Sequence, residues 1–215
     1  MKYAVVCAGG PEVAELTEFR KEETVFIGAD RGAFRLLEEG IVPEEAVGDF
    51  DSVSKEEYEV IRDTVQVVDR FRSEKDETDT EIAVCRALTY KPEYVVLTGV
   101  TGGRLDHTEA ALHLLYRLQI ENPTISFSIR NETNELSMLL PAVHELTQKV
   151  SYPYVSFFPF GGRVTGLTLT GFKYETLNET LETGMTKFTS NETASRICTI
   201  LFREGICLMV RSSDA

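Results

Sequence analysis

Ala46-Val47-Gly48-Asp49-Phe50-Asp51-Ser52 is a short apolar run that ends in two aspartates one residue apart. In an extended segment side chains alternate between faces, so Asp49 and Asp51 point together while Phe50 points the other way, into a core. Two carboxylates on one side repel unless they share a cation. A hard divalent ion such as Mg²⁺ accepts both as oxygen ligands and keeps waters for a phosphate. Gly, Asp and Ser are also the commonest turn residues, so the stretch alone reads first as a turn. Its surroundings decide between the two.

Upstream, residues 3–8 form an apolar run closed by Gly9-Gly10, and Val25 to Ala29 form a second that ends at Asp30. Both have the character of buried parallel strands. Gly32 to Glu39 places Phe34 and Leu37 on one helical face before Gly40 stops it. Downstream, Ser54 and Glu57 have capping-box spacing, which predicts a helix to about Thr64, followed by a strand over Val65 to Asp69. Thr78 and Glu81 repeat the spacing and open a helix through Leu88, and Tyr94 to Thr98 is a fifth strand. Asp106 with Glu109 caps a further helix, striped by Ala111, Leu114, Leu115 and Leu118. This alternation implies a Rossmann-like, mostly parallel sheet flanked by helices, and in such sheets ligands sit beyond the carboxyl ends of the strands. The stretches at 30, 49–51, 75–79 and 99–106 all fall after a strand and before a helix, which points to one site.

Past Pro123 the pattern changes to short β-rich runs: 125–130, 136–140, 154–160, 164–169, 172–177, 186–189, 197–202 and 206–211. They predict an all-β sandwich or barrel-like domain. The division expected is residues 1–130 for an α/β catalytic domain and 131–215 for a β-sandwich. A net charge of −13 disfavours nucleic-acid or anionic-membrane surfaces. Cys7, Cys85, Cys198 and Cys207 lack metal-ligand spacing and read as buried thiols of a reducing compartment. The N-terminal run is too short for a signal peptide or membrane span, so the expected location is the cytoplasm.

Thr98-Gly99-Val100-Thr101-Gly102-Gly103-Arg104-Leu105-Asp106-His107 supplies glycines that let backbone amides approach a phosphate, with Arg104 as a planar cation. It lacks the P-loop pattern. In Lys75-Asp76-Glu77-Thr78-Asp79, the reading is either a solvated acidic loop or, through Asp79 in the first turn of its helix, a third metal-side carboxylate or general base.

Taken in order, Gly28-Ala29-Asp30-Arg31-Gly32-Ala33, Gly48-Asp49-Phe50-Asp51-Ser52, Asp76-Glu77-Thr78-Asp79, Gly102-Gly103-Arg104-Leu105-Asp106-His107 and Ser190-Asn191-Glu192 resemble the thiamine pyrophosphokinase family, bacterial type, over essentially the whole chain. The resemblance implies an N-terminal domain that binds ATP and Mg²⁺, a C-terminal domain that helps bind thiamine, and a homodimer with sites at its interface. It implies that Asp49, Asp51, Asp79 and Asp106 hold or neighbour the metal. Asp30, Gly102, Gly103, Arg104 and Asp106 would face the nucleotide phosphates, and Lys75, Asp79, Ser190 and Asn191 would face thiamine. Arg31 departs from the glycine of many relatives, and a chain without tryptophan must build any aromatic wall from Phe or Tyr. An aspartate-nucleophile phosphohydrolase, which also opens on Asp-x-Asp, and a non-catalytic nucleotide or vitamin sensor are the competing readings.

Overall fold

The computed structural model describes residues 2–21, 23–71 and 77–214. Contacts divide the chain into two units, residues 1–118 with 124–132, and residues 119–123 with 133–215.

The first unit contains β1 (Tyr3–Cys7), β2 (Thr24–Ala29), α1 (Arg31–Glu38), β3 (Glu45–Gly48), α2 (Lys55–Thr64), β4 (Val67–Arg70), α3 (Asp79–Thr89), β5 (Tyr94–Thr98), most of α4 (Leu105–Glu121) and β6 (Ser126–Arg130). Its strands run parallel in the order β4-β3-β2-β1-β5-β6. The anticipated capping box on α2 is present in both directions between Ser54 and Glu57. Thr78 likewise caps α3 by accepting from the Glu81 amide at 3.2 Å. On one face of the sheet Val5, Cys7, Phe26 and Val96 pack with Leu36 of α1, while Ala46 packs with Ala33 of α1 and Ile61 of α2. Alternation sends Glu45 and Asp69 to the other face, where Arg86 of α3 pairs with both. Helices therefore cover both faces, because the chain crosses from β4 at one edge back to β5 beyond β1. The order reverses between β1 and β5, which makes their carboxyl ends the switch point of the sheet.

The second unit contains β7 (Asn134–Leu139), β8 (Val143–Thr147), β9 (Tyr154–Thr170), β10 (Thr176–Leu181), β11 (Asn191–Glu192), β12 (Ile197–Leu201) and β13 (Glu204–Ser212). Every pairing is antiparallel, in the order β7-β13-β9-β12-β8 with β10 and β11 also against β9. The first half of β9 pairs with β13, and its second half pairs with β10 and β12. Val155, Phe157, Leu167, Leu169, Leu181, Ile200, Cys207 and Met209 fill one core that draws on all of these strands.

Several local expectations are corrected. Gly161-Gly162 does not separate two strands. With Gly161 at φ 70 and Gly166 at φ 76, β9 bends and continues. Residues 186–189 lie in no strand, and the expected strand at 172–177 is a turn from which β10 begins at Thr176. α4 begins at Leu105, so Asp106 is not its N-cap. Cys7, Cys198 and Cys207 are buried, but Cys85 is exposed because α3 buries Ala83, Val84 and Ala87 instead. Among the described residues, no helix is long and apolar enough to cross a membrane.

Candidate active site

Asp30 follows β2, Asp49 follows β3, and Asp79 opens the helix after β4. One carboxylate oxygen from each lies within 4.8 Å of the other two. The arrangement follows from neighbouring parallel strands that end side by side. It is refined by two residues in left-handed backbone conformations, Asp30 at φ 49 and Phe50 at φ 58. The Asp30 amide donates to the Val47 carbonyl at 2.9 Å, and its Oδ1 accepts from the Phe50 amide, also at 2.9 Å. The Phe50 ring is buried, its centroid 5.1 Å from that of Tyr58. Gly48 is required here, since a Cβ at that position would stand 2.2 Å from Asp30 Oδ1.

Asp49 and Asp51 are together for a reason other than strand alternation. The positive φ of Phe50 breaks the extended path, and the Asp51 amide turns back to donate to Asp49 Oδ1 at 3.0 Å. Phe50 is buried as expected, but through a turn. Asp51 is exposed and outside the three-carboxylate group, but close enough to Asp49 and Asp79 to feel their charge. The negative charge of Asp49 is the main cause that raises the Asp51 pKa. Burial pushes Asp30 up to about 7; the Phe50 amide opposes the shift, and the charges of Asp79 and Asp49 add to it. Three clustered carboxylate oxygens form a set that suits a hard divalent cation.

At the switch point the loops after β1 and β5 are joined by backbone hydrogen bonds. Gly10 N donates to Gly99 O at 2.6 Å, Gly99 N to Glu12 O at 3.1 Å, and Glu12 N to Thr101 O at 3.4 Å. Gly102 has φ 79, and a Cβ there would stand 2.4 Å from Glu12 Cγ. Gly103 and Arg104 are exposed at the mouth of this loop. Arg104 Nε donates to Asp106 Oδ1 at 3.1 Å, and a second bond joins Nη2 to Oδ2. The Arg104 guanidinium holds the Asp106 carboxyl below the usual range. Asp106 is thus engaged with Arg104 and is not in the three-carboxylate group. Arg31 pairs with Glu57 at 3.1 Å.

In the second unit Ser190 is exposed at φ 57, its amide donating to Ser156 Oγ at 2.9 Å. Asn191 is 4% exposed, and its side chain clamps the preceding turn. Its Oδ1 accepts from the Tyr174 amide at 3.0 Å and its Nδ2 donates to the Tyr174 carbonyl at 2.8 Å. Tyr174 is exposed and Phe172 buried. Lys75 lies outside the described residues.

The resemblance puts Asp30 by the nucleotide phosphates, at the same strand-end site as Asp49 and Asp79, and the structure brings its carboxylate into one group with theirs. The signal they share is position, since Asp30 follows its strand just as Asp49 does. Glu12 and Asn131, which brace the glycine-rich loop, carried no pattern that could have found them.

A family model described as the thiamin pyrophosphokinase catalytic domain matches residues 16–127, and one described as the thiamin pyrophosphokinase vitamin B1 binding domain matches residues 143–207. The chain is 37% identical over 216 residues to a thiamine pyrophosphokinase of Bacillus subtilis (strain 168), covering 100% of both chains. The crystal structure of thiamine pyrophosphokinase from Bacillus subtilis superposes with a TM-score of 0.93 at 36% identity over 100% of both chains. That of thiamin pyrophosphokinase from Geobacillus thermodenitrificans does so at 0.89 and 35%, covering 100% of this chain and 99% of the other.

Proposed function

The chain belongs to the thiamine pyrophosphokinase family and transfers a pyrophosphoryl group from ATP to thiamine, and from that premise we propose which of its residues do so and how. The observation that carries the assignment of roles is the convergence of Asp30, Asp49 and Asp79 within 4.8 Å at the carboxyl edge of a parallel sheet. These three, with Asp51 beside them, would hold Mg²⁺. When bound, the ion supplies charge neutralisation to the triphosphate oxygens.

The glycine loop at 99–103 offers backbone amides to the phosphates. Arg104, oriented by Asp106, places a planar cation beside them. The thiamine hydroxyl oxygen attacks the β-phosphorus of ATP, the bond to the bridging oxygen of the α-phosphate breaks, and AMP leaves. Asp79 orients the hydroxyl and receives its proton. Lys75 and the exposed Ser190 contact thiamine, Asn191 shapes the turn that carries Tyr174, and Tyr174 offers an aromatic face to the thiazolium cation. We assign residues 1–130 to a Rossmann-like nucleotide domain and 131–215 to a thiamine-binding β-sandwich, in a cytoplasmic homodimer with sites at its interface.

The test is to incubate the protein with thiamine, ATP and Mg²⁺ and separate the products. AMP formed in step with thiamine diphosphate supports the proposal. ADP or phosphate without thiamine diphosphate would overturn it in favour of a phosphohydrolase, and bound thiamine without product in favour of a sensor.

A further inference from the structure

Asn131 follows β6 and is 3% exposed, a deeply buried polar side chain at the same sheet edge as the glycine-rich loop. Its Nδ2 donates to Glu12 Oε2 at 2.7 Å and to Thr101 Oγ1 at 2.9 Å. One amide group therefore uses both its hydrogens to tie the loop after β1 to the loop after β5. The tie lies where those loops already exchange backbone hydrogen bonds and where Gly102 packs against the Glu12 side chain. Glu12 itself is exposed, so its carboxylate is held in place by this amide and is not buried by necessity. The donor and acceptor pattern is specific. A carboxylate at 12 needs a donor at 131, and Asn is a residue of that size that supplies two.

We propose that Asn131 and Glu12 are positioning residues that fix Thr101-Gly102-Gly103-Arg104 in the shape that receives the nucleotide phosphates. The proposal rests on the reading of that loop as the phosphate site. Neither residue touches the reacting atoms. Their effect runs through the loop, so it falls on the use of ATP and not on thiamine.

The experiment is a donor–acceptor swap. Asn131→Asp sets a carboxylate against the Glu12 carboxylate and removes the bridging donor, while its size is unchanged. The double variant Asn131→Asp with Glu12→Gln restores a donor across the same gap, with the net charge of the parent chain. Asn131→Asp is expected to raise KM for ATP about ten-fold, the scale of one lost charge-assisted hydrogen bond, with KM for thiamine unchanged. The double variant is expected to recover most of that loss.

Thr101→Val removes the other arm of the tie without touching Glu12, and is expected to raise KM for ATP several-fold even where Asn131→Asp does not fold. Arg104→Gln serves as the reference for the loop itself. If it raises KM for ATP while Asn131→Asp and Thr101→Val behave as wild type, the positioning role is overturned and the phosphate loop stands. If Arg104→Gln leaves KM for ATP unchanged, the phosphate reading fails. Equal rises in both KM values, or a double variant no better than the single one, would reduce Asn131 to a packing residue.

Discussion

Asp30 carries an energetic burden that the metal proposal would relieve. Its folded pKa, about 7, lies above the value of an unfolded aspartate near 3.8. The folded chain therefore binds more protons than the unfolded chain between those two values, and metal-free stability falls as pH rises through that window. A divalent cation reverses the sign by favouring the ionised form. Mg²⁺ is therefore expected to raise the melting temperature more at pH 8 than at pH 5, and calorimetry near pH 6 should register proton release on binding. Asp30→Asn keeps an oxygen for the Phe50 amide but removes the charge. Metal-free, it should melt no lower than wild type at pH 8, and it should lose both the Mg²⁺ stabilisation and at least about 10²-fold in kcat. A wild-type response to Mg²⁺ in that variant would place the ion elsewhere. Gly48→Ala tests the same carboxylate by steric means. The added methyl would enter the space of Asp30 Oδ1, so turnover should collapse for a stability cost of about 1–3 kcal/mol, measured by denaturant unfolding.

Each of the three aspartates is set in place by the element that bears it, and α3 shows how far from the site that control begins. Arg86, seven residues beyond Asp79, pairs with Asp69 of β4 and stands 3.8 Å from Glu45 of β3, whose other oxygen accepts from Tyr90 at 2.9 Å. These bonds fix the helix on the sheet whose strand ends carry Asp49 and Arg70, and Arg70 in turn donates to the Asp49 carbonyl at 3.1 Å. Arg86→Met should therefore cost about 1–3 kcal/mol by leaving the buried Glu45 short of a partner, and should raise the Mg²⁺ concentration needed for half-maximal rate. An unchanged Mg²⁺ requirement in the destabilised variant would confine Arg86 to stability. At this scale the sequence was largely readable. The helices announced themselves by capping-box spacing at Ser54 and Thr78, and the strands by apolar runs that end in Asp or Gly. What escaped was conformation set by tertiary contact. The Gly161-Gly162 pair looks locally like a turn, yet pairing with β13 on one side and β10 and β12 on the other keeps β9 a single bent strand. Phe50 looks like one residue of an extended run, yet Asp30 captures its amide and turns the chain.

The whole molecule carries a net charge of −13, and its two substrates carry opposite charge. Thiamine bears a permanent thiazolium cation, whereas ATP is an anion even when complexed to Mg²⁺. The field of an acidic protein concentrates the first and repels the second, and salt screens both effects as the Debye length shrinks from about 14 Å at 0.05 M to about 4 Å at 0.5 M. This sign was legible from composition alone, since it needs no coordinates; how the acidic surface is distributed around the site was not, because Glu12, Asp30 and Asp106 are held by partners distant in sequence or outside the expected cap. Raising the concentration of KCl over that range at fixed free Mg²⁺ should therefore raise KM for thiamine several-fold. KM for ATP should stay level or fall, since the local attraction of Arg104 and the loop amides acts at contact distance, where screening is weak. Initial-rate measurements with each substrate varied in turn separate the two constants. Parallel increases in both would mean that salt disturbs the fold and not the field, and a thiamine KM indifferent to salt would show that the cation is drawn in by contacts at the site alone.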